Sequence, residues 1–156
     1  MNSPNLFNYE TRPAKFTERK MLLTVLQNIC QYYSEDFQYI GFGGVSFTDF
    51  KLFHKELNID KMFSIEGGDN LNEERVRFNT PFSCIDVRLG LSSSVLKDLD
   101  LTKKTVIWLD YDNDLDDFMF EDLAILFRKL PKGSVYIMTC NRQLKDKVTG
   151  AEYEVE

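Results

Sequence analysis

The stretch FQYIGFGGVSFTDFKLFHKELNIDKMFSIE, residues 37–66, leaves few folds open. An apolar run, Phe37 to Ile40, enters a glycine turn, Gly41-Phe42-Gly43-Gly44; an amphipathic helical pattern follows, and a second apolar run, Met62 to Ile65, ends on Glu66. Two short apolar runs with a helical period between them describe a strand, helix, strand unit. Glycines at a strand end let the backbone turn with positive φ and approach a ligand closely. The unpaired N–H groups of the following helix favour electron-rich ligand atoms. A carboxylate at the tip of the second strand, about 20 to 25 residues past the glycines, can accept hydrogen bonds from both hydroxyls of a ribose. The unit is a candidate nucleotide site made of Gly41, Phe42, Gly43, Gly44 and Glu66.

The rest of the chain continues the alternation. Thr17 is a candidate N-cap for a helix whose apolar stripe is Met21, Leu22, Val25, Leu26, Ile29, Cys30 and Tyr33. After Glu66, residues 69–77 read as a loop or short helix, Phe78 to Phe82 as a proline turn, and Ser83 to Val87 as a third strand. Gly90 and the capping candidates Ser92, Ser93 and Ser94 open a short helix ending near Leu99. A fourth strand, Thr105 to Leu109, delivers Asp110-Tyr111-Asp112. Asp114 is the expected cap of the next helix, whose inward stripe is Met119, Leu123, Leu126 and Leu130. Pro131-Lys132-Gly133 ends that helix, and Ser134 to Met138 forms a fifth strand finishing at Thr139-Cys140-Asn141. The expected fold is α/β, a Rossmann-like three-layer sandwich around a mostly parallel sheet of about five strands in the order 3-2-1-4-5. Its expected limits are an N-terminal extension over 1–16, one domain over 17–146 and a tail over 147–156.

At 156 residues and 43% apolar content the chain supports one domain with a real core. A net charge of -6 disfavours nucleic acid as a partner. No stretch has the roughly 18 to 20 apolar residues of a membrane span, and the polar N-terminus does not read as a signal peptide, so a cytoplasmic location is expected. Cys30, Cys84 and Cys140 are expected as buried unpaired thiols. His54, the one histidine, is expected to be structural or exposed. Arg12, Lys15, Arg19 and Lys20 make the one dense basic cluster, either a solvated helix start or an anion or partner contact beside the ligand cleft.

In that strand order, ligands bind beyond the carboxyl ends of the strands, around the first and fourth. The glycine turn, Glu66, Asp110 and Asn141 all fall on this edge, and core packing does not demand polar residues there. A carboxylate such as Asp110 can bind a hard cation, act as a general base, or cap a helix.

The pattern resembles the Rossmann-like (class I) S-adenosylmethionine-dependent methyltransferases, whose first motif runs acidic-x-Gly-x-Gly-x-Gly. Gly41 and Gly43 match its first two glycines, Gly44 falls one place before the third, and Glu66 matches the acid that holds the cofactor ribose. Tyr39 stands where the first acid would be and Val45 where the third glycine would be. Residues 110–141 are similar to the O-methyltransferase branch that includes catechol O-methyltransferase. Asp110, the Pro131-Lys132-Gly133 turn and Asn141 match, while Cys140 replaces a second aspartate. This resemblance implies S-adenosylmethionine as cofactor and Mg2+ held by Asp110 and Asn141, with Asp112 as a substitute ligand. It also implies adenine bound near Gly90, where Gly90-Leu91-Ser92 keeps the glycine of a Gly-Asp-Ala stretch and lacks its acid. Catalysis is then an in-line displacement with Asp110 deprotonating the acceptor. Such enzymes usually carry two more strands after the fifth. The chain is therefore expected to be either a fragment or a minimal version that takes a protein partner or second copy on its open sheet edge. Two rivals stand beside this reading. One is a non-catalytic Rossmann-like nucleotide-binding or interaction module. The other is a haloacid dehalogenase-like phosphohydrolase, which Asp110-x-Asp112 resembles, with Asp110 as nucleophile and Asp112 as acid/base.

Overall fold

A computed structural model describes residues 13–68 and 71–141. The expectations for residues 1–12 and for the segment from Arg142 lie outside the described residues. The elements run α1 (Pro13–Tyr33), β1 (Gln38–Gly41), α2 (Thr48–Leu57), β2 (Met62–Glu66), α3 (Glu73–Asn79), β3 (Ile85–Leu89), α4 (Ser92–Asp98), β4 (Thr105–Asp114), α5 (Asp117–Lys129) and β5 (Val135–Asn141). The five strands form one sheet in the order β3-β2-β1-β4-β5, and every pairing is parallel. This is the expected layout. The central strand β1 sets Ile40 against Phe63 on one side and Ile107 on the other, so the tips of β1, β2 and β4 share one edge.

Alternation along buried strands divides the core in two. Tyr39, Met62, Val87, Val106 and Trp108 face one way, toward Leu23 and Leu26 of α1, Phe50 and Phe53 of α2 and Val76 of α3. Ile40, Phe63, Ile65, Ile107 and Leu109 face the other, toward Val95 and Leu96 of α4 and Met119 and Leu126 of α5. The α1–α3 layer holds the larger rings: Tyr39 packs edge-on to Phe50 at 4.8 Å and to Phe53 at 4.9 Å.

Several boundaries differ from the sequence expectation. The first helix starts at Pro13, since proline suits a first helical position where no N–H is needed. Thr17 lies inside it, donating its hydroxyl to the Pro13 carbonyl at 3.0 Å rather than capping. β4 continues past Leu109 through an irregularity between Asp110 and Asp114, where Asp114 pairs with Asn141. Asp114 is thus a strand residue, and Asp116 caps α5 by accepting from the Asp117 amide. Ser92, Ser93 and Ser94 lie within α4, after an N-cap at Leu91 that makes no side-chain bond. The last turn of that helix is satisfied from α5, where Lys129 Nζ donates to the carbonyls of Leu96, Lys97 and Leu99.

The three cysteines are unpaired and half-buried rather than fully buried. His54 Nδ1 lies 3.0 Å from the Ile59 carbonyl, its ring against Phe82, which fits a structural role. No helix among the described residues is long and apolar enough to cross a membrane. The side chains of β5 from Val135 to Cys140 are half-buried, and α5 beside it leaves Phe120 and Phe127 exposed.

Phe50 is fully buried between Tyr39 and Phe47. Phe50→Ala is expected to cost about 3–5 kcal/mol of stability, read by urea denaturation. A loss under about 1 kcal/mol would show that this ring cluster is not the packing centre.

Candidate active site at the strand tips

β1 hands the chain to the turn 41–44 under tight constraint. A Cβ at Gly43 would collide with the Ser64 hydroxyl, with Phe47 Cε1 at 2.5 Å and with Glu66 Oε1 at 2.7 Å. Gly44 has φ +56, a conformation that glycine adopts without strain. This closeness lets the turn meet the tip of β2. Glu66, 7% exposed, accepts on one oxygen, Oε1, from the Gly43 amide at 2.8 Å, the Gly44 amide at 3.2 Å and the Ser64 hydroxyl at 2.5 Å. Burial pushes its pKa up and outweighs those three bonds, which pull it down. The glycine turn and the carboxylate, expected as two neighbouring parts of a site, are one hydrogen-bonded unit. The carbonyl of Glu66 also accepts from the amide of Gly90, at 2.9 Å, so the end of β3 is tied to the same residue.

Tyr39, where the resemblance places an acid, is buried, and its hydroxyl lies 2.5 Å from where a Cβ of Gly41 would be. Burial, then the charges of Asp49 and Asp110, push its pKa well above the usual phenol value. This position offers a neutral hydroxyl rather than a carboxylate.

On β4, Asp110 Oδ1 accepts from Lys15 Nζ at 2.8 Å and from the Thr139 hydroxyl. Lys15 also meets Glu18 at 2.9 Å and stands 5.3 Å over the Trp108 ring. Burial draws the Lys15 pKa down, but the bonds and charges of Asp110 and Glu18 outweigh it, and the net shift is upward. Asp112 is exposed, and its carbonyl accepts from the side-chain amide of Asn141. Lys15, Asp110, Asp112, Thr139, Cys140 and Asn141 border a cleft of about 280 Å³. The structure therefore brings Asp110, Asp112 and Asn141 to one cleft, two strands away from Glu66 across β1.

The basic cluster, expected as a solvated helix start or an anion contact beside the cleft, finds anions within the chain: Lys15 meets Asp110, and Arg19 forms a buried ion pair with Asp49 at the start of α2. Burial raises the Asp49 pKa against the pull of Arg19. Asp122 is fully buried on α5, accepting from Tyr111 at 2.7 Å and from Ser92 at 2.5 Å, while its Oδ1 finds no partner among the described residues. The sequence reading missed Asp122, whose signal is a carboxylate at the helical spacing of Met119 and Leu126. The Tyr111 ring packs edge-on to Phe42 at 5.3 Å and to Phe118 at 5.6 Å, which links the glycine turn to α5.

The profile of the family described as putative O-methyltransferase matches residues 7–155. The chain belongs to this O-methyltransferase family. No curated protein matches it. Membership agrees with the Rossmann-like sheet order and with a carboxylate and glycine turn at adjoining strand tips. The magnesium set of the catechol-type branch is incomplete in these residues: magnesium takes oxygen ligands, whereas position 140 carries a thiol, and Asp110 Oδ1 is already engaged by Lys15 and Thr139. Among the described residues no group of three or more His, Cys, Asp or Glu side chains is placed to hold a metal ion.

A carboxyl whose folded pKa lies above its unfolded value holds its proton more tightly in the native state. Its contribution is full below the unfolded value and fades as pH rises through the folded one. Carbon-13 NMR of Glu66 in this chain is expected to give a midpoint above 4.5. A midpoint below it would mean that the hydrogen bonds from Gly43, Gly44 and Ser64 outweigh burial.

Proposed function

We propose that the chain transfers a methyl group from S-adenosylmethionine to an oxygen acceptor at the tips of β1, β2 and β4. The observation that carries this reading is the fused unit of Glu66 with Gly43 and Gly44, standing across β1 from Asp110. Glu66 binds the ribose hydroxyls, and the 41–44 turn, with no Cβ at three of its four positions, lets the cofactor lie against the backbone. Phe42 and the region of Gly90 flank the base. The cofactor supplies a sulfonium methyl carbon that is open to attack from the side opposite sulfur.

The protein's part in the displacement is placement and proton removal. An acceptor hydroxyl in the cleft between Asp110, Thr139 and Asn141 gives its proton to Asp110. Its oxygen forms the new C–O bond as the C–S electrons return to sulfur, leaving a neutral thioether. The family match favours this chemistry over phosphoryl transfer to Asp110.

Calorimetric titration with S-adenosylmethionine, S-adenosylhomocysteine and NAD tests the reading. Micromolar binding of the first two and none of the third is expected. Glu66→Gln keeps an acceptor for the glycine amides but loses the charge facing the ribose, and it is expected to weaken binding by about tenfold or more with little change in melting temperature. Equal affinity in both proteins would remove Glu66 from the cofactor site, and no binding by the wild type would end the methyltransferase reading. Tight binding without methyl transfer to any hydroxyl compound would favour the non-catalytic module.

A further inference from the structure

The tip of β4 already contains a cation. Lys15 reaches it from α1, 95 positions away in sequence, and is fixed by three contacts. These are the 2.8 Å ion pair with Asp110, the 2.9 Å pair with Glu18, and its position 5.3 Å over the Trp108 ring. Thr139, on the neighbouring strand, donates to the same Asp110 oxygen and receives the Trp108 indole N–H at 3.3 Å. Lysine, aspartate and threonine thus form one connected group at the cleft, backed by the buried Trp108. A divalent ion at this tip would have to share the Asp110 carboxylate with Lys15 and Thr139, which hold its Oδ1. It would meet sulfur at position 140 and would lie beside an ammonium of its own sign.

We propose that the Lys15 ammonium is the fixed cation of this site, standing where a metal-dependent O-methyltransferase holds magnesium, and that the acceptor oxygen binds against it. The transfer step rests on the function proposed above; the exclusion of the metal does not. As the acceptor O–H proton passes to Asp110, the negative charge growing on oxygen faces Lys15. That charge disappears as the C–O bond forms and the C–S electrons return to sulfur. An ammonium held in place beforehand stabilises that charge without having to reorganise, the role a metal plays elsewhere. No redox partner or additional reactant is needed.

Electron paramagnetic resonance of Mn2+ with the full chain tests the exclusion. At millimolar Mn2+ the wild type and Lys15→Arg are expected to leave the free-ion signal intact. In Lys15→Met the uncompensated Asp110 is expected to take up measurable Mn2+, and Asp110→Asn in the same background is expected to abolish it. Stoichiometric Mn2+ on the wild type, lost in Asp110→Asn, overturns the proposal. A folded Lys15→Met that takes up no more Mn2+ than the wild type overturns it too, because the ammonium is then not what keeps the ion out. Transfer from labelled S-adenosylmethionine to a panel of phenols and alcohols gives the second readout. Activity is expected to withstand EDTA and to fall about 100-fold in kcat in Lys15→Met, with KM for the cofactor unchanged. Activity that returns only on adding magnesium overturns the proposal. Failure of the wild type to bind S-adenosylmethionine removes the proposed function alone, since the Mn2+ measurements need no cofactor.

Discussion

The bond between the Glu66 carboxylate and the amides of Gly43 and Gly44 sets the rest of the carboxyl edge. A buried carboxylate is costly unless its oxygens find donors, and here the donors come from the turn that must also carry the chain from β1 into α2. Meeting that need fixes the turn against β2, which leaves no room for a side chain at Gly43 and calls for a small hydroxyl at Ser64. The main chain of Glu66 extends the joint to β3 through Gly90. Three strand tips are therefore held in register at one residue. α2 tolerates a start with no side-chain cap and a left-handed Phe47 because the ring of Phe47 is fully buried against Phe50. The strain of an unusual backbone angle is offset by packing behind it.

The central strand–helix–strand unit, the strand order and the division of apolar stripes between two faces were all legible, because each is written in local periodicity. So was the convergence of Glu66, Asp110 and Asn141 on one edge, which follows from strand ends once the winding is parallel. Capping was read poorly. Thr17, Ser92 and Asp114 all have the right chemistry for an N-cap, yet each does something else. Ser92 shows why: its hydroxyl is drawn to Asp122, 30 residues away, and a buried carboxylate outcompetes a helix end that solvent can satisfy. The extension of β4 through Asp114 depends on a partner at Asn141 that local propensity does not encode.

The basic cluster at the start of α1 was ambiguous between a solvated face and an anion contact. Lys15 and Arg19 are four residues apart and so share a helix face. Each finds its anion within the chain, at Asp110 and Asp49, which also accounts for cations gathered in a chain of net charge -6. The two pairs are not energetically alike. The side chains of Arg19 and Asp49 are 8% and 13% exposed, and removing one partner from so buried a pair leaves an uncompensated charge costing about 3–5 kcal/mol. Lys15 and Asp110 are 21% and 30% exposed, and water screens their pair toward the roughly 0–1 kcal/mol of surface salt bridges. Arg19 therefore carries the docking of α1 on α2. Lys15, one turn earlier, inherits its position from that anchor and contributes little to stability itself. A cation held in place by another residue's packing can receive an acceptor oxygen beside Asp110 without moving, as a group at the reacting edge must.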